Sequence, residues 1–309
     1  MMNYRIIGDI HGRKNWRQLV EPFDENTIYV FVGDYTDPYY GWELVTYEQM
    51  MEETKAIFKF AEEHQDNVKL LYGNHDLQYI IGRAGTNRYD YEHEMEISQL
   101  MVENEDLFYG VAYHVGEKYL ITHAGVTMDW YTRHCQYDKE NVGHEKLLDV
   151  CTHINDLWWN SKKSAFTFSV NATRYDDGCG DDTTHSPLWV RPTSLWQGNL
   201  FGFGSDKIQV VGHTPFDDYF AKDRKETVNR IGTFGTLKTP ATDEEIDSGR
   251  YLLDGMDKCG LVCNDYEHVD IIDVDCLRRE TACVDIDGET LEWKKVSIGE
   301  DVMKVQDIL

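Results

Sequence analysis

Five short apolar runs, each ending abruptly in a polar turn that contains glycine, organise the first two-thirds of this chain. They are Tyr4–Ile7, Ile28–Val32, Val68–Tyr72, Tyr119–Thr122 and Ile208–Val211. Each is rich in β-branched, aromatic or leucine side chains and too short to stand as a helix, so each reads as a buried strand. Between the second and third, Glu43–His64 places Tyr47, Met50, Met51, Thr54, Ile57, Phe58 and Ala61 on one helical face. A weaker helical pattern covers Tyr91–Glu105. Strands alternating with helices predict an α/β core.

Later the texture changes. Leu107–Val115 and Lys118–Ile121 flank Gly116-Glu117 and read as a hairpin. Tyr251–Leu253, Val269–Val274, Cys283–Ile286 and Leu291–Val296 look like strands without long helices between them. The expectation is a mixed α/β (α+β) fold in which two β-sheets pack face to face. Residues 1–309 are read as one domain. The least regular stretch, Thr127–His185, is expected to form a cap or insertion. Its acidic run Asp176–Asp182 lacks the spacing of a calcium loop and reads as solvated.

Lys and Arg number 30 against 56 Asp and Glu, a formal net charge of −26. That balance argues against an extended nucleic-acid surface, because phosphate backbones are gripped largely by Lys and Arg. No run approaches the roughly 20 apolar residues a bilayer needs. The N-terminus enters a strand-like segment at once, and the 7 cysteines include no C-x-x-C pair. A cytoplasmic protein with free thiols, and no membrane partner, is the expectation.

What stands at the five strand ends carries the chemistry. In order they read Gly8-Asp9-Ile10-His11-Gly12, Gly33-Asp34-Tyr35-Thr36-Asp37, Gly73-Asn74-His75-Asp76, Thr122-His123-Ala124-Gly125 and Val211-Gly212-His213-Thr214. Functional groups of open α/β sheets collect beyond the carboxyl ends of strands, so distant turns can share one site. Two carboxylates, an amide carbonyl and three imidazoles suit zinc, iron or manganese. A shared carboxylate can bridge two ions about 3.5–4 Å apart, the spacing used for phosphoryl displacement. His75 and Asp37 are left over. Soft thiolates are absent from all five turns, which argues against a structural zinc site.

The order and content of these turns resemble the calcineurin-like metallophosphoesterases, specifically the phosphoprotein phosphatase branch and its bacterial relatives. The resemblance spans Asp9 to His213. It implies a four-layer αββα sandwich and a pair of divalent or trivalent ions, Mn, Fe or Zn. Asp9 and His11 would hold the first ion, Asp34 would bridge, and Asn74, His123 and His213 would hold the second. His75 would protonate the leaving group with Asp37 orienting it, and Asn74 would also meet the substrate phosphate. The implied reaction is hydrolysis of phosphate monoesters by in-line attack of a hydroxide that bridges the two metals.

One departure concerns phosphate binding. The family pattern continues after the second Asp with Arg-Gly, whereas Pro38-Tyr39-Tyr40-Gly41 follows here. Ser186–Pro192 resembles a bacterial segment whose arginine clamps phosphate, which points to Arg191, with Arg174 as the other candidate. Arg83 and Arg88, and Lys222, Arg224, Lys225 and Arg230, read as solvated loop charge in preference to a substrate funnel. Trp158-Trp159 reads as packing of the insertion on the core, in preference to a base-stacking platform.

Three functions fit these residues. The first is a serine/threonine-type phosphoprotein phosphatase. The second is a symmetrical dinucleoside tetraphosphatase or other nucleotide hydrolase. The third is a metal-bearing but catalytically silent binding module, which the presence of both His75 and Asp37 disfavours. The substrate is therefore a phosphorylated protein or a nucleotide, and the oligomeric state is left open.

Overall fold

The computed structural model describes residues 2–38, 45–82, 88–135, 145–160, 163–167, 182–202, 205–214, 231–233, 260–265, 268–275 and 281–298. The strands are β1 (Asn3–Ile7), β2 (Thr27–Phe31), β3 (Val68–Leu71), β4 (Phe108–Gly110), β5 (Ala112–Val115) and β6 (Tyr119–Thr122). They continue with β7 (Ile208–Val211), β8 (Ile231–Thr233), β9 (Gly260–Asp265), β10 (His268–Asp273), β11 (Ala282–Ile286) and β12 (Trp293–Ile298). The helices are α1 (Trp16–Val20), α2 (Tyr47–Glu63), α3 (Asn74–Ile81), α4 (Glu94–Glu103), α5 (Met128–His134), α6 (Leu147–Trp159) and α7 (Pro192–Gln197).

Two six-stranded sheets form, ordered β12-β11-β1-β2-β3-β4 and β5-β6-β7-β10-β9-β8. In the first, β1 to β4 run parallel, β11 runs antiparallel to β1, and β12 pairs antiparallel with β11. In the second, β6, β7 and β10 run parallel, β5 and β9 run antiparallel to them, and β8 pairs antiparallel with β9. This is the mixed architecture expected from the sequence.

The two-residue alternation of the strands makes the layers. Ile6, Val30, Leu71, Ile121, Val210 and Ile272 point inward and form one cluster between the sheets. Their neighbours Ile7, Phe31 and Leu70 point outward into a second cluster with α1 to α4. Val211 and Ile271 face outward from the second sheet and meet Leu195 of α7. Helices therefore flank both outer faces, giving the four-layer order. Each such aliphatic side chain, fully buried, contributes about 1.5–3 kcal/mol.

Helix α2 follows its amphipathic pattern closely. Thr46 caps it, its hydroxyl accepting from the Gln49 amide at 3.2 Å, and Met50, Ile57, Phe58 and Ala61 are buried. Helix α6 is likewise drawn into the core through Val150, Ile154 and Trp158. The Trp158 ring lies 4.6 Å from that of Tyr72. Among the described residues, no helix is long and apolar enough to cross a membrane.

One expectation is corrected. Leu107–Val115 is not one strand: β4 belongs to the first sheet and β5 to the second. The chain changes sheets at Gly110, whose φ is +142°. Asn155 fixes the crossing, its Oδ1 accepting from the Val111 and Ala112 amides at 2.9 and 3.0 Å. A Cβ at Gly110 would lie 2.5 Å from that oxygen, so only glycine allows the approach. The hairpin itself forms, between β5 and β6. Strands β8 and β9 were not legible in the sequence, and Tyr251–Leu253 falls outside the described residues.

Candidate metal centre

The turns that follow β1, β2, β3, β6 and β7 meet at one rim. Asp9, His11, Asp34, Asn74, His75, His123 and His213 are all buried there. Two clusters of ligand atoms result, each with its atoms within 4.8 Å of one another: Asp9, His11 and Asp34, and Asp34, His123 and His213. Asp34 belongs to both. Asn74 joins the second cluster, its Oδ1 lying 2.9 Å from His123 Nε2 and 3.0 Å from His213 Nδ1.

The backbone is held in uncommon conformations to achieve this. Among the described residues five non-glycine residues have positive φ, and four are His11, Asp34, Asp37 and His213. Such conformations cost on the order of 1–3 kcal/mol each and persist only where the surroundings over-determine them. Two glycines remove obstacles. A Cβ at Gly73 would stand 2.1 Å from Asp34 Oδ1, and one at Gly212 would stand 2.3 Å from Asp9 Oδ1.

Hydrogen bonds set the tautomers. Thr36 O lies 2.7 Å from His11 Nδ1, and Val32 O lies 3.1 Å from His123 Nδ1. Each carbonyl accepts the imidazole proton, which leaves Nε2 as a lone pair. Both lone pairs face the same oxygen: Asp34 Oδ2 is 3.6 Å from His11 Nε2 and 3.5 Å from His123 Nε2. Acceptors facing acceptors in a buried site are costly without positive charge between them.

The electrostatics agree. Burial, then the neighbouring Asp275 and Asp34, holds the Asp9 carboxyl well above the usual range. Burial and Asp76 do the same to Asp34. Burial pushes His123 down to about 3, and burial aided by nearby cations lowers His11 and His213. The metal-free cluster is thus neutral imidazoles beside carboxyls that resist ionisation. Borderline cations suit this N/O donor set and would relieve both penalties, so the residues fit an ion pair.

Beside the cluster, His75 Nδ1 lies 2.7 Å from Asp37 Oδ2. Gln78 also donates to this carboxylate, and the Tyr79 hydroxyl donates to its other oxygen at 2.5 Å. Burial holds the Asp37 carboxyl above its ordinary range, with Tyr79 and Arg88 pulling the other way. Arg191, the N-cap residue of α7, donates to Thr214 Oγ1 at 2.9 Å and acts electrostatically on His75, His123 and His213. Arg174, Arg83, Lys222, Arg224, Lys225, Arg230 and the run 176–181 lie outside the described residues.

Two residues were undervalued by the sequence reading. Asp76 is fully buried and accepts from the amides of Asp34 at 2.8 Å, Tyr35 at 3.0 Å and Gly73 at 2.8 Å. It ties the turn after β2 to the start of α3. Its visible signal was an acidic residue three places after a helix-capping glycine. The second is Arg88, read as solvated loop charge. The structure contradicts that reading: its Nη1 donates to the Asp37 carbonyl at 2.7 Å, and Nη2 stands 3.0 Å from His75 Nε2 and 3.4 Å from His11 Nε2.

The sequence matches the family model of the calcineurin-like phosphoesterases over residues 2–228, and the chain belongs to that family. It is accordingly a hydrolase of phosphoric esters that depends on metal. Similar solved structures include a protein serine/threonine phosphatase from Saccharomyces cerevisiae, at 11% identity and a TM-score of 0.47, covering 98% of this chain and 81% of that one. A cold-active protein tyrosine phosphatase gives 15% identity and a TM-score of 0.43, covering 95% and 78%. A metallophosphoesterase from Sphaerobacter thermophilus gives 13% and 0.38, covering 99% and 91%. No curated protein matches the chain.

Proposed function

We propose that the chain is a phosphomonoesterase of the serine/threonine phosphoprotein phosphatase type. Asp9, His11 and Asp34 would hold one cation, and Asp34, Asn74, His123 and His213 a second, with Mn, Fe or Zn suited to the donors. When bound, the pair supplies the positive charge that polarises the phosphoryl group and makes water nucleophilic at neutral pH.

The remaining steps belong to side chains. Arg191, seated on Thr214, offers a guanidinium fork to two phosphate oxygens, and the Asn74 amide reaches the same group. His75 presents Nε2 to the departing oxygen and delivers a proton there. Asp37 holds the opposite ring nitrogen and stabilises the imidazolium before the proton is given up.

The His75–Asp37 contact carries the choice of substrate class. An alkoxide leaving from phosphoserine or phosphothreonine is strongly basic and needs a proton. A nucleoside diphosphate leaves easily and has little need of a buried acid. We take residues 1–309 as one domain in which the insertion 127–185 shapes substrate choice, although α5 and α6 within it contribute Trp130 and Trp158 to the core.

The test is a metal-supplemented assay on a phosphoserine peptide, p-nitrophenyl phosphate and diadenosine tetraphosphate, with products identified. Turnover of the peptide at the highest efficiency supports the proposal. Preferred symmetric cleavage of the dinucleotide overturns it in favour of a nucleotide hydrolase. Metal uptake without turnover of any substrate leaves a silent binding module.

A further inference from the structure

The turn after β2 continues from Asp37 into Pro38 and supplies no guanidinium to the site. A guanidinium arrives there by another route. Arg88 lies in the segment between α3 and α4, yet its side chain reaches back to the Asp37 carbonyl and to the ring nitrogens of His75 and His11.

The segment is anchored for this position. The Tyr79 hydroxyl, which donates to Asp37, accepts from the Asp90 amide at 2.9 Å. The Tyr89 ring stacks on Tyr79, with centroids 4.9 Å apart and planes at 13°. Arg88 is thereby tied through Tyr79 to α3, the helix that begins with Asn74 and His75. One nitrogen, Nη1, is fixed by a backbone carbonyl. The other, Nη2, faces two imidazole lone pairs.

Both lone pairs have other duties in the proposed reaction. His11 Nε2 faces Asp9 and Asp34 as a ligand, and His75 Nε2 must carry the proton for the leaving group. With those atoms so engaged, the Nη2 edge, 3.0 Å from His75 Nε2 and 3.4 Å from His11 Nε2, presents its positive charge at the phosphate position. A planar fork with one edge anchored and the other turned to an anion suits phosphate better than an ammonium does.

We propose that Arg88, from the α3–α4 segment, is a substrate-phosphate-binding residue that acts together with Arg191. This rests on the phosphoesterase reading above and adds to it a ligand contact that the sequence around Asp37 does not provide. Burial lowers the basicity of His75, and the charges of Arg88 and Arg191 add to it.

The experiment measures inorganic phosphate binding to manganese-loaded protein by calorimetry, with p-nitrophenyl phosphate kinetics and elemental analysis in parallel. Arg88→Ala is expected to keep its metal and to weaken phosphate binding about tenfold to a hundredfold, the loss typical of a charged hydrogen-bonding partner. KM should rise with it, and Arg88→Lys should restore only part of the affinity. Phosphate binding by Arg88→Ala as tight as that of the wild type overturns the proposal, even if kcat falls, because Arg88 would then act only by positioning His75. Should Arg88→Ala fail to fold, Arg88→Lys decides: wild-type affinity contradicts the fork, and a several-fold loss supports it. Wild-type protein that neither binds metal nor turns over p-nitrophenyl phosphate would refute the phosphoesterase reading itself. Active wild type with an indifferent Arg88→Ala refutes the Arg88 contact alone.

Discussion

The Asp37 carboxylate accepts from His75 Nδ1 at 2.7 Å while the Tyr79 hydroxyl occupies its other oxygen at 2.5 Å. The imidazole is thus fixed in orientation, with Nε2 near that of His11 in the cluster of Asp and His side chains, both facing Arg88 Nη2. His75→Ala should retain metal and lose about 10²–10⁴ in kcat on alkyl phosphates, the usual worth of general-acid help. On p-nitrophenyl phosphate, whose leaving group needs little protonation, the loss should be far smaller. Equal losses on both substrates would remove His75 from the leaving-group role.

Asp76 joins two turns through backbone amides, and its replacement has a different signature. Asp76→Ala leaves the buried Asp34, Tyr35 and Gly73 amides without their acceptor. At roughly 1–3 kcal/mol for each orphaned donor, stability should fall by about 3 kcal/mol or more. Urea denaturation of the metal-free protein reads this directly. An unchanged midpoint would mean that the turns hold without it.

Metal uptake should release protons, and their source follows from the shifts. Burial raises Asp9 and Asp34, so protons persist on these carboxyls to higher pH in the metal-free protein and are displaced by cations. His11, His123 and His213 are lowered by burial and hold no proton to release near neutrality. Affinity should therefore rise with pH as the carboxyls ionise. Calorimetry of manganese binding in buffers of different ionisation enthalpy should show net proton release. A zero slope would contradict this account.

The strand ends were readable because glycine, aspartate and histidine stand directly after runs that only a buried strand can use, as at Gly8-Asp9 and Gly212-His213. Local sequence decides such features. The break at Gly110 was not readable, since Asn155, which secures it, lies 45 residues further on in α6. Arg88 was misread for the same reason. Its charge looks solvated until Tyr79 and Asp90 are seen to bring its segment against α3. Asp76 follows Asn74-His75 directly, but its acceptor role depends on where the β2 turn lies.

Arg191 and Arg174 are separated by a simple comparison. Arg191 is seated on Thr214 near His213, so Arg191→Ala should raise KM for p-nitrophenyl phosphate about tenfold or more, as expected for a charged contact. Arg174→Ala should leave KM unchanged. Steady-state kinetics with both variants at equal metal content checks the assignment, and the reverse pattern would transfer the role to Arg174.

Two neutral imidazoles aimed at one carboxylate oxygen make sense if positive charge comes to rest on both sides of Asp34. Anomalous scattering from a crystal soaked in manganese tests this. Two peaks about 3.5–4 Å apart, flanking Asp34 with His11 beside one and His123 and His213 beside the other, are the expected result. A single peak, or peaks remote from Asp34, would contradict it.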